Sequence, residues 1–118
     1  MKTLVKALLS LLLLNSALHS AYHAKGMEVY KKMCSKCHGG PFRGAKMHTT
    51  AEWEDIRDAS KTPTLTLHKG HPEALEALDR GYFSNKREQA LYKFLIGNAK
   101  DSGAVPGCDA NYCGSSKQ

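Results

Sequence analysis

The chain has 118 residues, a formal net charge of +6, a hydrophobic content of 42% and four cysteines. This length allows one domain and excludes a nucleotide-binding domain joined to a separate substrate domain. The hydrophobic content is too high for a disordered chain. No apolar run in the sequence approaches the roughly 20 residues of a membrane-spanning helix, and no internal repeat indicates a solenoid.

Residues 1–21 have the pattern of a secretory signal peptide. Two early lysines precede a short apolar stretch at residues 7–14, and a small, polar segment follows. We predict cleavage between Ala17 and Ala24; an uncleaved anchor helix is the alternative, which the shortness of the apolar stretch disfavours. Export predicts a periplasmic protein and an oxidising compartment in which cysteines can pair.

The first predicted helix runs from Ala24 to Cys37, because Met27, Tyr30 and Met33 recur at helical spacing. A Gly-Gly-Pro sequence ends this helix. The next segment, Phe42–His48, is predicted to be a loop.

A capping box formed by Thr49 and Glu52 predicts the start of a second helix, at about Thr50–Ala59. This helix carries Trp53 on its apolar face. The alternation in Thr64–His68 then predicts a short extended segment.

A third helix is predicted from Pro72 to about Arg80, because proline suits a first helical turn. Ser84 or Asn85 caps a fourth, which runs to about Asn98 and turns leucine and phenylalanine side chains inward. Four short helices predict an all-α domain over residues 22–99. Residues 100–118 are rich in Gly and Ser and are predicted to form a C-terminal tail.

The sequence Cys34-Ser35-Lys36-Cys37-His38 has the C-x-x-C-H spacing of a c-type haem attachment motif. Two thiols on one helical turn can add across the two vinyl groups of one haem. His38 then supplies the proximal nitrogen to the iron. The motif therefore predicts one covalently bound haem c, which also provides apolar core for a small chain.

Three other interpretations of these cysteines are weaker. A thioredoxin-like redox pair requires a β-α-β context that the sequence lacks. A zinc site formed by Cys34, Cys37, Cys108 and Cys113 leaves His38 unexplained. A disulfide between Cys34 and Cys37 is strained across one helical turn.

The chain resembles a short class I c-type cytochrome over roughly residues 24–98. Gly26, Tyr30 and Cys34 follow each other at steps of four, like the small residue, aromatic residue and first haem cysteine of that family. The sequence LYKFL at residues 91–95 is similar to the family's last helix. The resemblance implies a small cytochrome c-like fold around one haem, single-electron transfer, and a helix crossing in which Gly26 faces Phe94.

One departure from the family concerns the distal iron ligand. Class I cytochromes usually supply a methionine from a loop shortly before the last helix, but Leu75–Ser84 contains no Met and no His. We predict His68 as the distal ligand, because its position after the second helix gives it freedom to reach the distal face. Met47 and His71 are alternatives, His48 is a weaker one, and an open iron position is a further alternative.

Trp53, the only tryptophan, has two interpretations. It packs against the haem and donates its indole N–H to a propionate, or it is a half-buried core residue. Both interpretations suit an aromatic side chain with one polar atom.

Cys108 and Cys113 remain after haem attachment. In an exported protein they are predicted to form a disulfide that closes a small ring in the tail, which stabilises the fold by only about 2 kcal/mol. A regulatory thiol pair and a bridge to a partner are the alternatives.

These features together predict an exported monohaem electron carrier rather than an enzyme. The alternative is a haem enzyme or small-ligand-binding protein with an open distal position. Lysines flanking the haem motif favour redox-partner proteins with acidic docking surfaces. Nucleic-acid binding is not expected, because the chain has no basic-aromatic array, and membrane contact is expected only through partner complexes.

Overall fold

The computed structural model describes residues 23–79 and 81–104, and within these ranges the chain is helical and has no strand. The predicted all-α class is confirmed at this level. The signal-peptide and tail-disulfide predictions lie outside the described residues. The helices are α1 at 23–33, α2 at Ser35–His38, α3 at Pro41–Ala45, α4 at Thr50–Asp58, α5 at Pro63–Leu67, α6 at Pro72–Leu78 and α7 at Asn85–Gly97.

The predicted first helix is divided into two at Cys34. This residue has φ −113° and ψ −30°, outside ideal helical geometry, and it forms the N-cap of α2. Its N–H still donates to the Tyr30 carbonyl at 2.8 Å, and the His38 N–H donates to the Cys34 carbonyl at 2.9 Å. The C-x-x-C-H motif therefore lies on a short helical turn that continues from α1 with a local distortion.

Two segments predicted to be non-helical are helices, so those predictions are wrong. Phe42–His48 was expected as a loop, and most of it belongs to α3 or its C-terminal turn; Thr64–His68 was expected as extended, and it belongs to α5 and its C-cap. Both helices begin with a proline at the first helical position, where the missing N–H costs no hydrogen bond. In α5 this start signal is stronger than a brief alternation of Thr and Leu.

The cap predictions for the longer helices are confirmed. The Thr49 hydroxyl accepts the Glu52 N–H at 3.2 Å, and the Glu52 carboxylate accepts the Thr49 N–H at 2.7 Å. Ser84 caps α7 by accepting the Arg87 N–H. Capping bonds between residues three positions apart therefore determine where α4 and α7 begin.

The core forms around α7, which contacts both α3 and α4. The Phe94 ring lies 6.3 Å from the Tyr30 ring and 5.7 Å from the Phe42 ring, measured between centroids. Its neighbours on α7 are also almost fully buried: Ala90, Leu91, Tyr92 and Leu95. No helix among the described residues is long and apolar enough to cross a membrane.

The packed domain extends beyond residue 99, where the tail was predicted to begin. The Lys100 N–H donates to the His48 carbonyl at 3.1 Å. The Asp101 carboxylate accepts hydrogen bonds from the backbone N–H and the hydroxyl of Thr50, at 2.7 and 2.9 Å. These contacts connect the end of the described chain to the start of α4.

The crossing of α1 and α7 occurs at Gly26, as the family resemblance implied. A Cβ atom added to Gly26 would lie 2.5 Å from the Phe94 Cβ and would collide with the Ala90 carbonyl oxygen. Real Cβ atoms do not approach so closely, so only glycine permits this approach of the two backbones.

We expect Gly26→Val to lower the free energy of unfolding by about 2–3 kcal/mol, because the added methyl groups overpack the crossing with α7. The control is Ala24→Val, which places the same side chain on an exposed position of α1. Denaturant unfolding of the purified protein gives both values. Equal stability of the two variants would contradict a close crossing at Gly26.

Candidate haem site

The two motif cysteines lie on one helical turn and differ in exposure. Cys34 is half-buried and Cys37 is exposed, and no disulfide joins them. Burial and the neighbouring Cys37 raise the pKa of the Cys34 thiol to about 12. Redox-active C-x-x-C pairs instead have a thiol whose pKa is lowered, so the environment of Cys34 does not favour the thioredoxin-like alternative.

The last residue of the motif, His38, lies next to His68. Their ring centroids are 5.9 Å apart and their ring planes are inclined by 70°. Helix α2 carries one ring, and the C-cap position of α5 carries the other. Burial is the main cause that lowers the pKa of His38, and the nearby His68 lowers it further. This shift favours the neutral imidazole, which is the form that binds a metal.

The orientation of the His68 ring is fixed by a backbone contact. Its Nδ1 atom lies 2.8 Å from the Thr64 carbonyl oxygen, four residues earlier. Because a carbonyl only accepts, Nδ1 must donate the proton, and the lone pair is left on Nε2. Metal-binding histidines are commonly oriented by such a bond from the other ring nitrogen.

The distance between the two rings suits one metal ion between them. A ring nitrogen lies about 1.1 Å from the centroid and about 2.0 Å from a bound ion, so two imidazoles on opposite sides of one ion have centroids roughly 6 Å apart. The observed 5.9 Å agrees with this value. The spacing of His38 and His68 would therefore allow both imidazoles to bind one haem iron.

The alternative distal ligands lie in other surroundings. Met47 is 47% exposed and follows α3. The His48 ring packs edge-on against Trp53, with centroids 4.6 Å apart, and its Nδ1 lies 3.7 Å from a Glu52 carboxylate oxygen. His71 is exposed and forms the N-cap of α6 without a side-chain capping bond.

The predicted donation of the Trp53 indole N–H to a haem propionate is wrong, whereas packing of the Trp53 ring against a haem stays a prediction. Trp53 is buried, and its indole N–H donates to the Ala45 carbonyl at 2.7 Å. Indole has only this one donor, so none is left for a carboxylate. Trp53 instead connects α3 to α4 in the core, where its ring also lies edge-on to Tyr92.

Two buried polar residues near the site were missed by the sequence predictions. Thr64 and Glu88 are only 4% and 5% exposed, and the Thr64 N–H donates to the Glu88 carboxylate at 2.8 Å. Glu88 lies in the first turn of α7, where an acidic residue is ordinarily an exposed partner of the helix dipole. No sequence signal distinguishes it from such a residue.

The zinc alternative involves Cys108 and Cys113, which lie outside the described residues. Within residues 23–79 and 81–104, no three His, Cys, Asp or Glu side chains form a group that could hold a metal ion. Comparisons with protein-family models, curated proteins and solved structures return no match to this chain.

Proposed function

We propose that this protein is an exported monohaem c-type cytochrome that carries single electrons between redox proteins. The observation that carries the proposal is the C-x-x-C-H motif with its histidine facing a second histidine at a ring separation of 5.9 Å. The motif supplies covalent attachment and one axial ligand. His68 supplies a second imidazole at the spacing that one iron requires.

Each residue of the site has a defined role in this proposal. Cys34 and Cys37 hold the haem by thioether bonds, His38 is the proximal ligand and His68 is the distal ligand. Bound haem supplies a reversible exchange between ferric and ferrous iron. Two imidazole ligands leave no iron position for a substrate, which favours a carrier over an enzyme. They also give a lower reduction potential than a His and Met pair, because Met ligation raises the potential.

The surface around the motif supports docking to acidic proteins. Lys31, Lys32 and Lys36 are exposed on α1 and α2, next to the exposed Cys37. Lys32 forms an exposed ion pair with Glu28 at 3.2 Å. Because exposed ion pairs contribute little free energy, Lys32 can leave Glu28 and bind a partner's carboxylate at little cost. Clustered positive charge increases the rate of encounter with a negatively charged partner.

The mass and visible spectrum of the protein purified from the periplasm test this proposal. We expect the mass of the mature chain plus one haem, retained after denaturation, because thioether bonds survive unfolding. We expect a six-coordinate low-spin spectrum in both redox states, without a Met–iron band. A mass equal to that of the bare polypeptide would refute the proposal. A high-spin spectrum would instead support the open-iron alternative, a haem enzyme or small-ligand-binding protein.

A further inference from the structure

Thr64 connects the core to the candidate distal ligand through its backbone. Its N–H donates to the Glu88 carboxylate at 2.8 Å, and its carbonyl oxygen lies 2.8 Å from Nδ1 of His68. Its hydroxyl lies 3.4 Å from the Tyr92 hydroxyl, which is a long contact for an O–H···O bond. The two short bonds therefore both involve the peptide groups of Thr64 rather than its side chain.

Glu88 is an unusual component of this connection. Its side chain belongs to α7, the helix at the centre of the core, and it is only 5% exposed. A buried carboxylate is costly unless it accepts hydrogen bonds. A bond from an N–H group to a carboxylate is shorter and stronger than one between neutral groups, so Glu88 holds Thr64 firmly against α7.

Helix α5 depends on such a contact because it is short. It has five residues, Pro63–Leu67, and His68 is its C-cap. An isolated helix of this length is unstable in water, so tertiary contacts must hold it in place. The contact at Thr64 lies one helical turn before His68 and adds to the packing of α5 against α4.

We propose that Glu88 is a positioning residue that holds His68 opposite His38 through the Thr64 peptide groups. The proposal rests on the proposed function, because it makes His68 an iron ligand. In this proposal, a residue of α7 keeps His68 at the distal position of the iron. Loss of the Glu88 carboxylate loosens α5, lets His68 leave the iron more often and opens the iron to added ligands.

The test compares Glu88→Ala with the unmodified holoprotein. The apparent affinity of the ferric protein for cyanide measures how often the distal position is open, because that affinity scales with the open fraction. We expect it to rise about tenfold in Glu88→Ala, the effect of losing one hydrogen bond to a charged group. Amide hydrogen exchange at Thr64 should also accelerate. Unchanged affinity and exchange would overturn the proposal.

A second variant, Glu88→Gln, keeps the proposal testable if Glu88→Ala loses its structure as a whole. Glutamine keeps the size and one acceptor oxygen but forms a weaker, neutral bond. We expect the cyanide affinity of Glu88→Gln to lie between that of the unmodified protein and that of Glu88→Ala. If Glu88→Ala does not fold, an increase in Glu88→Gln supports the proposal and unmodified affinity overturns it.

Two further variants separate positioning from packing. Thr64→Val keeps the backbone N–H and carbonyl, so we expect a smaller change in cyanide affinity than in Glu88→Ala. An equal change would show that packing alone is responsible and would overturn the proposal.

Glu54→Ala removes an exposed carboxylate from α4 and serves as the control. Its affinity should equal that of the unmodified protein, and a tenfold rise here too would count against a specific role of Glu88.

The same measurements distinguish failure of this proposal from failure of the proposed function. If the purified chain carries no covalent haem, the proposed function fails. Thr64 amide exchange, which does not involve iron, then still decides whether Glu88 secures α5. If haem is attached and His68→Ala opens the iron while Glu88→Ala does not, the proposed function stands and only the role of Glu88 fails.

Discussion

Replacing Cys34 and Cys37 together by serine should abolish covalent haem attachment. Serine hydroxyls do not add to the vinyl groups, so the mature variant should have the mass of the bare polypeptide after denaturation. Haem retained through His38 and His68 alone should be removed by acid–acetone extraction. We also expect the steady-state amount of the variant to fall sharply, because a chain of about this size buries only roughly two-thirds of its surface and needs the haem as core.

The matched control is Ser35→Ala, which changes a residue between the two cysteines. Among the described residues, the Ser35 hydroxyl makes one long contact, of 3.5 Å with the Tyr30 carbonyl, so its removal should leave haem attachment intact. Mass spectrometry of all variants under denaturing conditions decides the outcome. Haem that remains covalently bound in the double-serine variant would show that these cysteines are not the attachment sites.

The strongest local signals in the sequence predicted the longer helices well. The capping box at Thr49 and Glu52 and the cap at Ser84 involve residues only three apart, so the sequence contains both partners of each contact. The Gly26 crossing was implied by the resemblance to a known helix pair, because the sequence alone does not bring these two distant segments together. The two caps do not depend on how the rest of the chain folds.

The short helix α5 was mispredicted because its sequence is ambiguous at this length. Thr64–His68 alternates polar and apolar residues, and the choice between strand and helix depends on Pro63 and on contacts with α7. The difference matters for the site. In an extended strand, four residues cover about 13 Å, whereas the helical turn brings the Thr64 carbonyl within 2.8 Å of the His68 ring.

Apart from the Gly26 crossing, contacts between distant residues could not be predicted from the sequence. Glu88 and Thr64 are 24 positions apart, and neither has a motif that marks it as buried. From the sequence, the Trp53 N–H could equally have bonded a propionate or a backbone carbonyl, and in the fold it donates to the Ala45 carbonyl. Residue chemistry predicted which groups require partners, and tertiary structure selected those partners.

His68→Ala should convert the low-spin iron to a high-spin form. Of the proposed distal ligands, His68 is the one whose ring faces His38, at a centroid separation of 5.9 Å. Removing it leaves a space where a small ligand can reach the iron. Added imidazole should therefore bind His68→Ala and restore the low-spin spectrum, as optical titration would show. Because His68→Ala keeps the bond from the Thr64 N–H to Glu88, α5 should stay in place while the free ligand restores the spectrum.

Met47→Ala and His71→Ala are the matched controls, because each removes another proposed ligand from an exposed position. Both variants should keep the low-spin spectrum and the reduction potential of the unmodified protein. Met ligation raises the potential relative to two histidines, so the measured potential gives an independent indication of the ligand. If His68→Ala stays low-spin while Met47→Ala becomes high-spin, Met47 is the distal ligand. In that case the approach of His68 to His38 has no part in iron ligation.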